Sequence, residues 1–235
     1  MLLSRLIRGI ALTDQIGRDV EITSLTCDSR TVSPGGLFAA FRGEKTDGTQ
    51  FIQEALDRGA AAVLCAQPPD RPGPWLLTSD PRGAFGQMAA NWFGRPGERM
   101  TLVGVTGTNG KTTTTSLLGE IMKNYQDNVY IVGNIGNPYT AVAGQMNENT
   151  ITVAEMSSFQ LESIVDFRPK VSAILNFTPD HLNRHHTMEA YVNAKKNIAR
   201  NQGPQDYCIL NYEDSLTREF GKKVKAQVLY FSSQR

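Results

Sequence analysis

The chain has 235 residues, of which 40% are hydrophobic and 20% charged, and its formal net charge at pH 7 is +1. This composition argues against disorder, and the small net charge argues against nucleic-acid partners or an anionic membrane surface. The three cysteines (Cys27, Cys65 and Cys208) show no CxxC spacing, which disfavours a zinc site or disulfide framework and suits a reducing cytoplasm.

The first part of the chain predicts a small mixed α/β domain. Apolar residues recur at helical spacing in MLLSRLIRGIAL, and two arginines interrupt them, so we expect an amphipathic helix and no signal sequence or membrane insertion. Short strands are expected in VEITSLTCDSR and GGLFAAF, a helix in TQFIQEALDRGA ending at Gly59, and a buried strand in AAVLCA. After a helical pattern over residues 84–92, the breakers and charges of FGRPGERM predict a linker near residue 97.

The second part alternates more regularly. Buried strands are predicted in TLVGVT, NVYIV, TITVAE, VSAILNF and YCILN, with helical stretches between several of them. This alternation is typical of an α/β domain in which helices cover both faces of a mainly parallel sheet.

A glycine-rich stretch, TGTNGKTTT, joins the strand TLVGVT to a helix that opens near Lys111. That context predicts a phosphate loop, whose inward-facing amides, helix N-terminus and lysine bind the phosphates of ATP or GTP. Val105 replaces the first glycine of the general pattern, so the match is to GxxGK[ST]; a plain turn with a surface lysine is the alternative. The predicted nucleotide-binding residues are Gly107, Thr108, Asn109, Gly110, Lys111, Thr112 and Thr113.

Polar side chains follow two later strands at the same predicted sheet edge. Glu155 ends TITVAE, and the loop after VSAILNF holds Asp180 and Arg184 together with every histidine of the chain, His181, His185 and His186. Carboxylates and histidines beside a phosphate loop can bind a divalent metal. Solvated loop histidines without a ligand are the alternative for His185 and His186.

Five motifs, in this order, resemble those of the Mur ligase family, which builds the peptide of peptidoglycan. They are TGTNGKTTT, GNIG (133–136), EMSSFQLE (155–162), NFTPDHLNRH (176–185) and YVNAKKNI (191–198). EMSSFQLE and DHLNRH look most like members that add D-glutamate. CDSRTVSPGGLFAAFRG and TDGTQF instead resemble the N-terminal domain of members that add the third residue, although Thr49 stands where those members usually have histidine.

The resemblance implies a P-loop NTPase-like, mainly parallel-sheet central domain over residues 98–235, preceded by a UDP-muramoyl-substrate-binding domain over residues 1–97. It also implies that the family's third domain and late parts of the central domain lie outside these residues, so the central domain is expected to be incomplete. The implied reaction is ATP-dependent amide formation through an acyl phosphate. Its substrates would be UDP-N-acetylmuramoyl-L-alanine and D-glutamate or, as the alternative, the dipeptide form and a diamino acid or L-lysine; a monomer is favoured.

The same resemblance implies the roles of individual residues. Lys111 would span the β- and γ-phosphates, Thr112 and Glu155 would hold a first Mg²⁺, and His181 a second. Lys195 would support the second Mg²⁺ as a carbamate, so that the catalytic residues are Lys111, His181 and Lys195. The sequence by itself places Lys195 only at the border of the apolar face of an amphipathic helix, where a surface lysine is the alternative.

Substrate contacts are implied for two groups of residues. Asn134, Ser157, Gln160 and Arg184 would lie on the muramoyl and γ-phosphate side, whereas Ser29 and Arg30 would contact the UDP moiety. Capping and turn formation are the alternatives for Asn134, Ser157, Gln160, Asn109 and Ser29.

Three other classes of protein remain as alternatives. Folylpolyglutamate synthases share the phosphate loop and fold, but the UDP-type N-terminal domain argues against them. A phosphate-loop switch or kinase would leave SSFQLE and DHLNRH unexplained, and no NKxD-like motif occurs. A module that binds ATP and UDP-muramoyl peptide without completing the reaction is the third.

Overall fold

The computed structural model describes residues 1–15, 18–42, 46–69 and 72–234. The chain forms two compact units, Met1–Gly94 and Arg95–Arg235. The division falls inside FGRPGERM, the stretch that was predicted to be a linker. Across these ranges, no helix combines the length and apolarity needed to cross a bilayer.

A five-stranded sheet of order β1-β5-β4-β3-β2 forms the first unit. Its pairs are parallel except β1 with β5. The strands are β1 (Asp14–Gln15), β2 (Leu25–Thr26), β3 (Leu37–Ala39), β4 (Ala62–Cys65) and β5 (Trp75–Leu77), and the helices are α1 (Leu3–Leu6), α2 (Ile52–Asp57) and α3 (Pro81–Trp92).

The core of the first unit lies on both faces of its sheet. Because successive strand residues point to opposite faces, Leu37 and Leu64 pack with residues of α1 and α3, whereas Phe38 and Val63 pack with residues of α2. Full burial of β3 and β4 therefore explains their continuous apolar runs.

Several predicted elements of the first unit are shorter than expected. The N-terminal helix covers only Leu3–Leu6, because the chain turns after it and reaches a positive φ of 77° at Gly9. The strand predicted in VEITSLTCDSR is limited to β2, since Asp28 accepts from the Arg30 amide and caps a short 3-10 helix there. The strands β1 and β5 were not predicted.

A wholly parallel six-stranded sheet of order β11-β10-β9-β6-β8-β7 forms the second unit. Its strands are β6 (Thr101–Thr106), β7 (Val129–Gly133), β8 (Ile151–Glu155), β9 (Val171–Ile174), β10 (Tyr207–Asn211) and β11 (Gln227–Phe231). Its helices are α4 (Lys111–Lys123), α5 (Tyr139–Val142), α6 (Ser158–Glu162), α7 (Leu182–His185), α8 (Met188–Lys196) and α9 (Ser215–Gly221).

The strand order places a topological switch beside β6. The chain goes from β6 to β7 and β8 on one side and then crosses to β9 and β10 on the other. In open parallel sheets ligands bind at the carboxyl ends of the strands at such a switch. The α/β class and the five predicted strands of this unit are confirmed, whereas the edge strand β11 was not predicted.

Gly133, the last residue of β7, brings two backbones into close approach. Its φ is 100°, and a Cβ atom placed there would overlap the Glu155 carbonyl oxygen. Gly136 also has a positive φ, 89°, but a Cβ atom there would meet nothing within 4 Å.

We therefore expect Gly133→Ala to lower the free energy of unfolding by about 2 to 4 kcal/mol, because strain and overlap add. Gly136→Ala, the matched control, should cost only the positive-φ strain of about 1 to 2 kcal/mol. Urea titration of both variants measures the difference, and equal losses would contradict the close approach.

Candidate nucleotide-binding site

The loop between β6 and α4 curls through two glycines with positive φ, 147° at Gly107 and 80° at Gly110. A Cβ atom at Gly107 would lie 3.0 Å from the Leu175 Cβ atom, so the loop also packs closely against the end of β9. Helix α4 begins at Lys111, as the sequence predicted. The first amides of a helix have no intrahelical partner, and together with the loop amides they can bind an anion.

Asn176, just beyond β9, holds the loop in this shape. Its side-chain oxygen accepts from the amides of Thr108 at 3.1 Å and Asn109 at 2.9 Å, and its Nδ2 donates to the Asn109 carbonyl at 3.1 Å. Asn176 belongs to the motif NFTPDHLNRH, but no role was predicted for it. Its place directly after a strand at the sheet edge was the available indication.

Tyr191, on α8, contacts the loop from another side. Its hydroxyl and the Thr108 hydroxyl hydrogen-bond each other at 3.0 Å, and Thr108 also donates to the Thr178 carbonyl at 3.1 Å. Tyr191 is buried. Asn109 contacts Asn176 and Thr178, whereas Thr113 is exposed in the first turn of α4.

Lys195 lies one helical turn after Tyr191 and is only 2% exposed, so the surface-lysine alternative is wrong. Its Nζ donates to the Gly107 carbonyl at 2.7 Å and lies 4.8 Å from the centre of the Tyr191 ring. Burial, reinforced by the nearby charge of Lys111, lowers the pKa of Lys195 to about 8. Periodicity could not show this burial because the covering groups come from the loop, far away in sequence.

Lys111 donates its Nζ to the Thr108 carbonyl at 2.8 Å. Two ammonium groups therefore contact consecutive loop carbonyls, Lys195 at Gly107 and Lys111 at Thr108. With the helix N-terminus, they make this end of the sheet a place for an anion.

Glu155, at the end of β8, is 2% exposed and joins two predicted site residues. Thr112 donates its hydroxyl to one carboxylate oxygen at 2.7 Å, and Asn134 donates its Nδ2 to the other at 3.0 Å. A carboxylate beside a hydroxyl supplies the oxygen ligands that Mg²⁺ prefers. Within the described ranges, no group of three or more His, Cys, Asp and Glu side chains could hold a metal ion, so phosphate or water oxygens would complete the coordination.

His181 lies in the loop after β9, directly before the short helix α7, and Arg184 lies in that helix. The His181 Nε2 is 3.4 Å from the Asp180 carboxylate, and its ring centre is 4.9 Å from that of Phe159. Arg184 forms an ion pair with Glu162 at 2.9 Å and lies 4.4 Å above the Phe159 ring. The structure thus groups these two residues around Phe159.

Ser157 and Gln160 form a capping box at the start of α6. The Ser157 amide donates to Gln160 Oε1 at 2.9 Å, and the Gln160 amide donates to Ser157 Oγ at 3.3 Å. The capping alternative therefore describes their contacts.

His185 and His186 differ sharply although they are neighbours. His186 is exposed, but His185 is buried, with Nε2 at 2.9 Å from Ser158 Oγ and Nδ1 at 3.1 Å from Glu162. The solvated-loop alternative is therefore wrong for His185. Burial lowers the pKa of His185 and so favours the neutral ring, and the Glu162 charge offsets this effect only in part.

The predicted UDP contacts lie in the first unit. Ser29 is buried and donates its hydroxyl to Glu54 at 2.7 Å. The exposed Arg30 side chain donates to both Asp28 carboxylate oxygens, at 2.9 and 2.7 Å, which lowers the pKa of Asp28 to about 2. Both residues thus already have partners within the chain.

A parallel sheet with a GxxGK[ST] loop at its switch point, next to a carboxylate that accepts from Thr112, defines a phosphate-loop nucleotide-binding protein. Comparison with known proteins narrows this class. Residues 105–235 match the model of the Mur ligase middle domain, and residues 21–75 match the model described as Mur ligase family, catalytic domain. The chain belongs to the Mur ligase family, whose members use ATP.

Curated relatives match a little more than half of the chain. A UDP-N-acetylmuramoylalanine--D-glutamate ligase of Lachnoclostridium phytofermentans is 61% identical over 134 residues, which are 57% of this chain and 30% of the relative. One of the same name from Clostridioides difficile is 58% identical over 130 residues, 55% of this chain and 29% of the relative. The matched part thus spans about 30% of these relatives.

Solved ligases share the fold. A UDP-N-acetylmuramoyl-L-alanyl-D-glutamate--2,6-diaminopimelate ligase matches with a TM-score of 0.77 and 21% identity, covering 100% of this chain and 53% of the other. The MurF ligase of Thermotoga maritima in complex with ADP matches with a TM-score of 0.67 and 23% identity, covering 90% and 51%.

The lowered pKa of Lys195 predicts how stability depends on pH. Between its folded pKa of about 8 and its ordinary value of 10.5, the native state binds fewer protons than the unfolded state, so stability rises with pH across this window. Lys195→Met removes this rise. Relative to the variant, the parent should gain about 1 to 3 kcal/mol from pH 8 to pH 10.5.

Chemical denaturation at several pH values measures this gain. Lys123→Met, at an exposed lysine of α4, is the control and should follow the parent throughout. Parallel stability curves for the parent and Lys195→Met would show that Lys195 keeps an ordinary pKa.

Proposed function

We propose that the chain binds MgATP at the phosphate loop and belongs to a cytoplasmic ligase of peptidoglycan precursor synthesis. This ligase joins D-glutamate to the carboxylate of UDP-N-acetylmuramoyl-L-alanine through an acyl phosphate. The proposal rests on one observation above all: the loop and its Thr112–Glu155–Asn134 cluster lie within residues 105–235, which match the Mur ligase middle domain. A stretch of 134 residues of the chain is 61% identical to a ligase named for this reaction.

The arrangement of charge suits phosphoryl transfer between two anions. A carboxylate must approach the γ-phosphate of ATP, and cations are needed to offset their repulsion. Lys111 and the amides of α4 supply positive charge where the phosphates would lie. Catalysis then depends mainly on positioning and charge, without a nucleophilic side chain.

The metal would be held by oxygen ligands. Thr112 and Glu155 would hold one Mg²⁺, and His181 with a carbamylated Lys195 a second; when bound, these ions neutralise charge that develops on the phosphate oxygens. His181, half exposed beside Asp180, would turn toward this ion.

Lys195 fits carbamate formation chemically. The ammonium group first loses one proton to solvent. The neutral amine then forms a bond to the carbon of CO₂ and loses a second proton to solvent, so that a cation becomes an anion. A pKa of about 8 supports this step, because a fraction of the amine is neutral near pH 7.

Substrate contacts are proposed for two separate groups of residues. Asn134, Ser157, Gln160 and Arg184 would contact the muramoyl part and the transferred phosphate, and Arg30 would exchange Asp28 for the diphosphate of UDP, with Ser29 nearby. Addition of a third residue to the dipeptide substrate is the second candidate, favoured by the fold match that covers 100% of this chain. We expect the chain to act as a monomer.

Nucleotide binding is the first test. Lys111→Met should weaken ATP binding in the presence of Mg²⁺ by about tenfold to a hundredfold, because a charge-assisted phosphate contact is lost. Lys123→Met, the same change in the last turn of α4, should bind as the parent does. Titration calorimetry measures both, and equal ATP affinity in Lys111→Met would contradict the phosphate-loop assignment.

The reaction is tested by phosphate release. With UDP-N-acetylmuramoyl-L-alanine and ATP, adding D-glutamate should release phosphate; release only with the dipeptide substrate and a diamino acid would instead identify third-residue addition. Binding of ATP and the muramoyl substrate without phosphate release would leave a binding module and exclude catalysis by this chain alone.

Carbamylation has its own test. A crystal of the Mg²⁺-loaded protein grown with bicarbonate should show the added carboxylate on Lys195. An unmodified lysine under these conditions would contradict the carbamate role.

A further inference from the structure

His185 lies at a junction that the proposed mechanism does not use. Its side chain is 3% exposed, with the Glu162 carboxylate 3.1 Å from Nδ1. The Ser158 hydroxyl lies 2.9 Å from Nε2. Because a carboxylate only accepts and a hydroxyl can donate, these partners favour a neutral ring with its proton on Nδ1 and Ser158 donating to Nε2.

A hydroxyl, an imidazole and a carboxylate in this spatial order also occur in catalytic triads, where the hydroxyl is the nucleophile. Ser158, however, is 1% exposed as the first residue of α6, so its hydroxyl has no open side for an acyl substrate. The contacts of His185 therefore hold neighbouring elements of the fold in place.

One of those elements is the turn after β8. Ser158 lies three residues after Glu155, which binds Thr112, and the ring of the next residue, Phe159, stacks on His185 with centres 5.6 Å apart. Phe159 also contacts the His181 ring, with ring centres 4.9 Å apart. His185 thus fixes the segment that follows the candidate metal-binding carboxylate.

Helix α8 is the other element. The His185 ring packs edge-on against Tyr191, with centres 5.3 Å apart, and the Tyr191 hydroxyl reaches Thr108 of the phosphate loop at 3.0 Å. A single buried imidazole therefore lies between the turn that follows Glu155 and the helix that holds the loop.

We propose that His185 is a positioning residue that sets the Glu155 carboxylate against the phosphate loop, where Glu155 and Thr112 would hold a Mg²⁺ ion. This inference rests on the proposed binding of MgATP. His185 itself touches neither the nucleotide nor the metal, and its effect reaches them through Ser158 and Tyr191.

The consequence concerns one measurable quantity, the factor by which Mg²⁺ tightens ATP binding. Loop amides and Lys111 bind phosphates whether or not Mg²⁺ is present, but the metal adds affinity only when Glu155 and Thr112 lie at the correct distance from those phosphates. Loss of His185 should therefore reduce the Mg²⁺-dependent gain and leave metal-free ATP binding nearly unchanged.

Two substitutions divide the contacts of His185. His185→Gln keeps a polar group near Ser158 and loses the donor to Glu162, whereas His185→Asn keeps a donor near Glu162 and loses the contact with Ser158. His186→Gln is the matched control, because the same change is made at the exposed neighbour. ATP affinity is measured by calorimetry on the whole chain with and without Mg²⁺, and thermal unfolding is followed in parallel.

Both His185 variants should lose about fivefold to tenfold of the Mg²⁺-dependent gain, while metal-free ATP affinity changes by less than about twofold. A lower melting temperature with an unchanged Mg²⁺-dependent gain would overturn the proposal and leave His185 as packing only. If neither variant folds, Ser158→Ala, a small change at the same contact, is measured in the same way and decides between the same two outcomes.

Nitrogen-15 NMR of the parent gives an independent result. The His185 ring should be neutral with its proton on Nδ1, and a proton on Nε2 would overturn the arrangement. Failure of the underlying function is distinguishable, because the parent itself would then show no Mg²⁺-dependent gain in ATP affinity.

Discussion

The candidate site depends on how a curled segment of backbone is held open. When the amides of the phosphate loop turn toward a ligand, its carbonyls must find partners elsewhere, because an unpaired buried carbonyl is costly. Lys195 donates to the carbonyl of Gly107, and Lys111 donates to that of Thr108. The Asn176 side chain donates to the next carbonyl, that of Asn109. The groups that stabilise the loop are thus largely the groups that make its surroundings cationic.

Burying the ammonium group of Lys195 against the loop costs free energy. A buried ammonium ion is disfavoured unless polar groups replace its water, and here a carbonyl and the face of the Tyr191 ring do so only in part. The remaining cost appears as a pKa lowered to about 8. The same burial that makes Lys195 a good clamp therefore makes its amine available for reaction with an electrophile.

The sequence could predict the sheet and the loop because both are local patterns. Continuous apolar runs mark fully buried parallel strands, and the glycine-rich turn lies between one of these strands and a helix. The edge strand β11 was missed although it contains the short apolar run VLYF; in the structure most of its residues are exposed, as is usual at the edge of a sheet.

Contacts between distant segments could not be predicted in the same way. His185 and His186 are equivalent in the sequence, yet one is buried against Ser158 and the other exposed, since the helix α7 ends between them and His186 takes a positive φ of 63°. Lys195 and Asn176 likewise gain their roles from a loop that lies more than sixty residues earlier, at Gly107 to Asn109.

Register finally decides which side chains meet at the loop. Glu155 pairs with Val105 of β6 and with Gly133 of β7, and Asn176 follows the pairing of Ile174 with Thr106 on the other side of β6. A slip of one residue would turn the Glu155 carboxylate to the opposite face of the sheet, away from Thr112. Because Gly133 alone lets β7 approach the Glu155 carbonyl so closely, a glycine without chemistry of its own helps to fix where the candidate metal-binding carboxylate lies.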